Sequence, residues 1–486
     1  MPVQIQSARL APASESLARL SARDLLDGYG AGRFTPRDVI DEVIAALQAI
    51  DRLCNVVVTD MYESARAEAD RATAAWRSGG ARGALAGVPV TIKDLIYVAG
   101  VPAKGGAPMN AAFVPEVDAA VVSALRAAGA ILTCKTTTCE SGYKLTADSP
   151  VSGITRNPWH RDRTSGGSSG GAAAAVAAAC GPLAVGTDGV GSIRVPSSFC
   201  GVFGLKPTFG LVPRSPGFFP PSWASLAHTG PIARTVGDAA LLLGVIAAPD
   251  ARDPGNVPVA AGPFAPDPAL PRGLKIAFSP DLGFAPVQPG VRAAFERAVE
   301  TLRGLGAAMV EDHPGLDPDI LETVLKPIAF SEQAGAVAHC PPSALRESEA
   351  DYLEVVAQGR RYSAVDYVAA SHRRAQLRGR FLDLFRRADV LVTPTVATTA
   401  FAAGTIGVSE IDGRAVDPHL GWSPFTWPIN LAGLPAATIP CGFDRDGLPV
   451  GLQIVVPWFK ENLLLSVAAA FERAAPWAAT WPTLSV

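Results

Sequence analysis

Three short segments of this chain carry side chains that could do covalent chemistry at a carbonyl group. The first is Ser165-Gly166-Gly167-Ser168-Ser169-Gly170-Gly171. So many small residues in a row cost conformational entropy unless backbone must come very close to something. The run directly precedes an Ala-rich helix pattern, and at a helix N-terminus the free N–H groups and the dipole favour negative charge. A flexible linker is the ordinary reading of Gly and Ser, yet a linker does not normally abut a helix that is apolar all round. The second segment is Gly186-Thr187-Asp188-Gly189-Val190-Gly191-Ser192-Ile193-Arg194. A strand, a Gly-rich turn and a serine at a helix start could form an oxyanion hole, with the N–H groups of Gly189, Val190 and Gly191 beside the Ser192 hydroxyl. On spacing alone, a tight structural turn stands as an equal alternative. The third is Lys93, at the end of the apolar run Val88 to Ile92. A strand-end lysine is usually a solvated charge, but one facing a buried pocket favours its neutral form and can act as a base.

Three other readings of these letters fail. Gly166 to Gly170 spells G-x-S-x-G, but a nucleophile elbow needs a strand running into the turn. Arg156 to Arg163 reads as a loop, and no motif points to a His-Asp pair. A dinucleotide fingerprint fails because Arg194 stands where the last Gly belongs, and a P-loop would need a Lys-Ser/Thr pair.

These groups need elements to hold them. Val39, Ile40, Val43, Ile44, Leu47 and Ile50 recur at helical spacing, and Tyr62 to Trp76 reads as an exposed Ala-rich helix. Gly87 to Ile92 reads as a buried strand, Asp118 to Ala128 as an amphipathic helix, and Ile131-Leu132 as the next strand. That alternation suggests a mostly parallel sheet. Residues 146–171 read as loop, and Gly171-Ala172 through Cys180 as a helix buried on every side. Pro-rich stretches at 213–221 and 247–272 read as surface excursions, the second a long loop within one sheet-based domain. Residues 317–388 read as mainly helical. Strands are expected at Ile276–Phe278, Val390–Val392, Ala437–Ile439 and Gly451–Val455, and a last helix from Glu461 to Arg473.

Composition limits the classes of function. Of 486 residues, 48% are hydrophobic and 18% charged, so the chain can bury a large core and disorder is excluded as its main state. A net charge of -3 offers neither a basic footprint for nucleic acid nor a polybasic anchor for a membrane. No signal-peptide core or spanning segment is read. The cysteines are seven, an odd number, with no C-x-x-C spacing. That argues against a disulfide framework or zinc site and makes a reducing cytoplasm the default. Cys139, Cys180 and Cys200 read as packing residues.

Taken together, the three segments resemble the amidase signature family. The resemblance covers Gly87-Val88-Pro89-Val90-Thr91-Ile92-Lys93-Asp94, Asn157-Pro158-Trp159, Gly166 to Gly171, Gly186-Thr187-Asp188, Gly191-Ser192-Ile193-Arg194 and Gly204-Leu205-Lys206-Pro207-Thr208. It continues at Gly230-Pro231-Ile232-Ala233-Arg234, Thr393-Pro394-Thr395, Gly433-Leu434-Pro435 and Gly447 to Gln453, and is weakest around 245–390. Lys93 and Ser168 lie 75 positions apart (168−93), and Ser168 and Ser192 lie 24 apart (192−168), as that family requires.

The resemblance implies an α/β fold: a single domain over 1–486 built on a large mixed twisted sheet with helices on both faces. N-terminal helices would span about 15–80, the core about 85–240, and a variable pocket-shaping region about 310–375. It implies that Ser192 is the nucleophile, that Ser168, held by a cis peptide, relays the proton, and that Lys93 is the base. Gly189, Val190 and Gly191 would form the oxyanion hole, and Ser169, Asp188 and Arg194 would support it. Asp188 and Arg194 read better as a buried ion pair bracing the turn than as substrate contacts. Gly142 and Tyr143 would touch the substrate. Two departures stand out. Val190 replaces a glycine of the family turn, where a β-branched residue resists positive φ. Lys135-Thr136-Thr137 replaces a Lys-Thr-Asn segment.

The implied activity is hydrolysis of amide, and by the same tetrahedral chemistry carbamate, bonds of a small molecule, with no cofactor or metal, by a monomer or homodimer. The rivals are the glutaminase subunit of a tRNA-dependent amidotransferase, and a catalytically dead binding protein, against which the presence of all three catalytic groups argues. Phe218 to Trp223 and Trp422 to Trp427 place aromatic residues and proline in expected loops, where they would either bind an apolar or aryl substrate or serve as ordinary lid packing.

Overall fold

The apolar spacing that begins at Val39 produces the helix Pro36–Cys54, which buries Val39, Ile40, Val43, Ile44, Leu47 and Ile50. Thr35 and Asp38 close a capping box at its start, with Pro36 in the first turn. The exposed reading of the following helix, Tyr62–Arg77, is corrected. It buries Ala65, Ala69 and Thr73 on one face, and Ala65 and Ala69 pack with Ile40 and Ile44. Small side chains permit that close approach, and the charges on the other face obscure it in the sequence. The computed structural model describes residues 16–80, 83–218, 225–258 and 262–483.

An 11-stranded sheet organises the chain. Its spatial order is Val57–Asp60, Ile131–Thr136, Pro89–Lys93, Leu183–Asp188, His228–Ala233, Phe203–Lys206, Ala436–Phe443, Pro449–Val455, Val390–Pro394, Lys275–Phe278 and Ala308–Glu311. The expectation of a mostly parallel sheet is corrected. Pairing is parallel only among Ile131–Thr136, Pro89–Lys93 and Leu183–Asp188, and again among Val390–Pro394, Lys275–Phe278 and Ala308–Glu311. Between these two parallel wings the neighbours run antiparallel. The strand–helix alternation is readable only in the wings; the centre contains a hairpin, Ala436–Phe443 with Pro449–Val455, and Gly- and Pro-bearing strands that local pattern does not announce. The strands on either side of the 247–272 stretch, His228–Ala233 and Lys275–Phe278, join this one sheet.

The Ala-rich helix, Gly170–Ala177, is buried at every position. It lies between the Leu183–Asp188 strand and the helices Pro36–Cys54 and Arg194–Cys200, a place only small side chains can fill. Two readings next to it are corrected. Residues 146–171 are not all loop: Asp148–Ser149 pairs with Gly153–Ile154, and Arg156–Asn157 pairs with His160–Thr164. A short ribbon therefore does lead into the Gly/Ser run, although it stands outside the large sheet. Its strand residues are charged and largely exposed, which hides the β pattern, and its turn is closed by Asn157 Oδ1 accepting the Trp159 N–H.

The aromatic segment at 422–427 is no lid. Trp422, Phe425 and Trp427 are buried core residues, with Trp422 against Phe199 and Phe401 and the Trp427 indole N–H on the Leu420 carbonyl. Rings of this size bury enough apolar area to hold a loop inside the core. In the first aromatic segment, Phe218 is buried and its backbone bridges Ile96, which also corrects the surface reading at 218, the last described residue of the 213–221 stretch. Phe219 to Trp223 lie outside the described residues. Among the described residues no helix is long and apolar enough to cross a membrane.

Candidate active site

Lys93 closes the Pro89–Lys93 strand and is fully buried. Its Nζ lies 2.7 Å from Ser168 Oγ, 2.8 Å from Thr187 Oγ1 and 3.4 Å from the Thr187 carbonyl oxygen. Burial pulls the Lys93 pKa down to about 7, against the opposing influence of Cys139 and Asp188 and with the Arg214 charge adding to the fall. A neutral amine with a hydroxyl at hydrogen-bond distance is what a lysine base requires. One residue on, Asp94 forms a buried ion pair with Lys135 at 2.8 Å and accepts the Gly105 N–H, fixing the strand end.

The Gly/Ser run lies where backbone must come close. A Cβ on Gly167 would fall 2.0 Å from the Thr146 carbonyl oxygen, so no other residue fits there. The Gly167–Ser168 peptide is cis. Ser169 ties the run to both neighbours: its hydroxyl donates to the Thr187 carbonyl and accepts the Thr187 N–H, and its own N–H donates to the Ser192 carbonyl at 3.0 Å.

Ser192 follows a turn braced from beneath. The Asp188 carboxylate accepts the Gly191 N–H at 2.8 Å and the Ile193 N–H at 3.1 Å, and is gripped by Arg194 Nε at 3.0 Å and Nη2 at 2.9 Å. Burial alone would raise the Asp188 pKa; the Arg194 charge and hydrogen bonds, with Lys206 and Asn430, hold it far below the usual carboxylate range. Arg194 also donates to the Thr426 carbonyl, Gln453 Oε1 and Asn430 Oδ1. Both charges are inaccessible to solvent, and the pair braces the turn from behind the cavity lining.

The turn accommodates Val190 because positive φ falls on Gly191, at 134°, while Val190 keeps an ordinary conformation. A Cβ on Gly191 would meet Thr426 Oγ1 at 2.6 Å, and that hydroxyl donates to the Val190 carbonyl at 2.7 Å. The Gly191 N–H is already spent on Asp188, and the N–H groups of Gly189, Val190 and Ser192 are those without a protein acceptor among the described residues.

Ser168, Ser192, Thr187, Gly142, Tyr143 and Val190 open on one cavity of about 550 Å³. A Cβ on Gly142 would lie 3.7 Å from Ser168 Oγ, and Tyr143 is held by its hydroxyl donating to Glu349 Oε2 at 2.9 Å. The far wall is apolar, with Ala329, Phe330, Ala336 and Val355 from the helices Lys326–Ala336 and Ala350–Gly359, joined by Leu226 and Leu420. Arg214 and Glu332 line it as well, charges that no sequence pattern assigns to the site. Sequence reasoning also missed Thr187, which strand alternation could have found: Asp188 turns to Arg194, so its neighbour Thr187 faces the other way. Asn430 and Thr426 carry no local signal. Among the described residues no group of three His, Cys, Asp or Glu is placed to hold a metal ion.

A sequence model of the family described as Amidase matches residues 38–465. This chain belongs to the amidase family. An acylamidase of Rhodococcus erythropolis is 35% identical to this amidase over 476 residues, 97% of this chain and 99% of the relative. A glutamyl-tRNA(Gln) amidotransferase subunit of Acinetobacter baumannii is 34% identical over 488 residues, 95% of this chain and 97% of the relative. Among solved structures, a bacterial aryl acylamidase of the amidase signature family matches this amidase with a TM-score of 0.90 at 29% identity, covering 96% of this chain and 98% of the other. A 6-aminohexanoate cyclic dimer hydrolase in complex with its substrate matches with a TM-score of 0.86 at 30% identity, covering 96% and 99%. The amidase is an amide-hydrolysing enzyme with the amidase signature fold. Acylamidase and amidotransferase relatives are about equally close, so kinship fixes the bond type and leaves the substrate open.

Proposed function

We propose that this amidase cleaves amide bonds of small apolar or aryl substrates, and carbamates of similar shape, through an acyl-enzyme on Ser192. The observation that carries the reading is the fully buried Lys93, bonded to Ser168 at the floor of the cavity that Ser192 also lines. Neutral Lys93 Nζ accepts the Ser168 proton while Ser168 Oγ accepts that of Ser192, whose oxygen attacks the carbonyl carbon. The tetrahedral oxyanion is held by the N–H groups of Gly189, Val190 and Ser192. The proton returns from Lys93 through Ser168 to the leaving nitrogen, the C–N bond breaks, and a water repeats the sequence to release the acid. Asp188, Arg194 and Ser169 keep the turn in place, and Gly142 and Tyr143 flank the substrate.

Two expectations test this. Only deprotonated Lys93 can accept a proton, so kcat/KM should rise with pH through about 7 and level off above it. A profile that peaks in acid would rule Lys93 out as the base. The apolar wall should favour bulky acyl or aryl groups, each buried methylene adding about 1 kcal/mol. The single chain should therefore turn over a p-nitroanilide with kcat/KM at least tenfold above that for glutamine or acetamide. A clear advantage for glutamine would overturn the apolar-pocket reading and favour the amidotransferase role.

A further inference from the structure

Glu332 lies on the helix Lys326–Ala336 and lines the same cavity as Ser168 and Ser192. Every donor that its carboxylate receives goes to one oxygen. Ser225 Oγ at 2.8 Å, the Ser225 N–H at 3.3 Å and the Tyr367 hydroxyl at 3.2 Å all reach Oε1. Oε2 receives none among the described residues. The next residue, Gln333, lines the cavity too, and its Oε1 is buried without a donor. Two acceptor oxygens on adjacent residues thus lack a protein donor among the described residues, in a cavity lined also by Phe330, Ala336, Leu226 and Arg214.

The charges around Glu332 are those of Arg374 and Arg214. Arg374 directs its Nε to the Leu431 carbonyl and its Nη2 to the Ser225 carbonyl, so it holds the loop that carries Ser225 and leaves Oε2 unbonded. Burial raises the Glu332 pKa, opposed by Ser225, Tyr367 and Arg374. An acceptor without a protein donor can take one from a ligand, and a charged donor forms the strongest such bond. Apolar side chains beside these two acceptors suit an apolar body bearing an N–H donor group.

Resting on the reaction above, we propose that Glu332 Oε2, assisted by Gln333 Oε1, is a specificity-determining acceptor for amide substrates that carry an ammonium group on an apolar body. Two matched pairs of substrates test it, one for each side of the scissile bond. The acyl pair is 4-aminobutyryl and pentanoyl p-nitroanilide. The amine pair is acetanilide bearing a para aminomethyl or a para ethyl group. In at least one pair the ammonium member should have the higher kcat/KM, by about tenfold or more and mainly through KM. Glu332→Gln keeps an acceptor for Ser225 and Tyr367 and should bring that ratio close to one, while Glu332→Asp should restore part of it. If the Gln variant does not fold, wild-type inhibition decides: butylammonium should inhibit pentanoyl anilide hydrolysis at a concentration about tenfold lower than butanol. Wild-type enzyme with no preference in either pair, a ratio unmoved by Glu332→Gln, or equal inhibition by the two additives overturns this inference alone. Failure to hydrolyse either neutral anilide overturns the proposed reaction and this inference with it.

Discussion

Ser192→Ala should lower kcat by on the order of 10⁵–10⁶, because it removes the proposed nucleophile and the remaining oxyanion donors give only residual catalysis. The substitution removes one hydroxyl from a turn whose shape rests on backbone and on Asp188. The Ser192 carbonyl still accepts the Ser169 N–H, so the melting temperature should stay close to wild type. Intact-mass analysis during turnover of a slow carbamate should show an adduct on wild type and none on the variant. A variant that kept near-normal activity would show that Ser192 is not the nucleophile.

The second large effect is expected from Lys93→Met, a loss of about 10²–10⁴-fold in kcat as general base catalysis disappears. Met is the informative replacement because Lys93 is fully buried, and Ala would add the cost of a cavity. The residual rate should lose its rise with pH through about 7. Stability gives an independent readout. The folded pKa of Lys93 is depressed to about 7 from its ordinary value of 10.5, so between these values the unfolded chain binds more protons than the native state. Wild-type stability should therefore gain from this group as pH rises from about 7 towards 10, with the full penalty below 7. Lys93→Met lacks the penalty and should be at least as thermostable at pH 6. A variant that is well folded and fully active would remove Lys93 from the mechanism.

The site was far more legible than its surroundings. Gly167 and Gly191 stand where a Cβ would strike backbone or a bracing side chain, so their identity reports a geometric demand. The all-apolar pattern of Gly170–Ala177 likewise admitted only a buried helix. Aromatic loops misled because ring size and proline look alike in a lid and in a core. Trp422 and Trp427 were resolved only by what packs on them. The exposed reading of Tyr62–Arg77 failed for the reverse reason, since alanines make a burying face that hydropathy scarcely registers.

Residue type and spacing carried the family resemblance, which named Lys93, Ser168 and Ser192 as candidate groups and the amide as the bond, where spacing alone left a structural turn as an equal reading. What each group experiences was set by three-dimensional packing. Strand alternation turns Thr187 toward Lys93 and Asp188 toward Arg194. Burial lowers the lysine pKa to about 7, and Asp188 accepts the Gly191 N–H. The pocket wall came from helices distant in sequence, where Glu332 and Gln333 line the cavity and Gln333 Oε1 is buried without a donor. Such properties depend on solvent exclusion and on neighbours hundreds of positions away, and neither is written in local spacing.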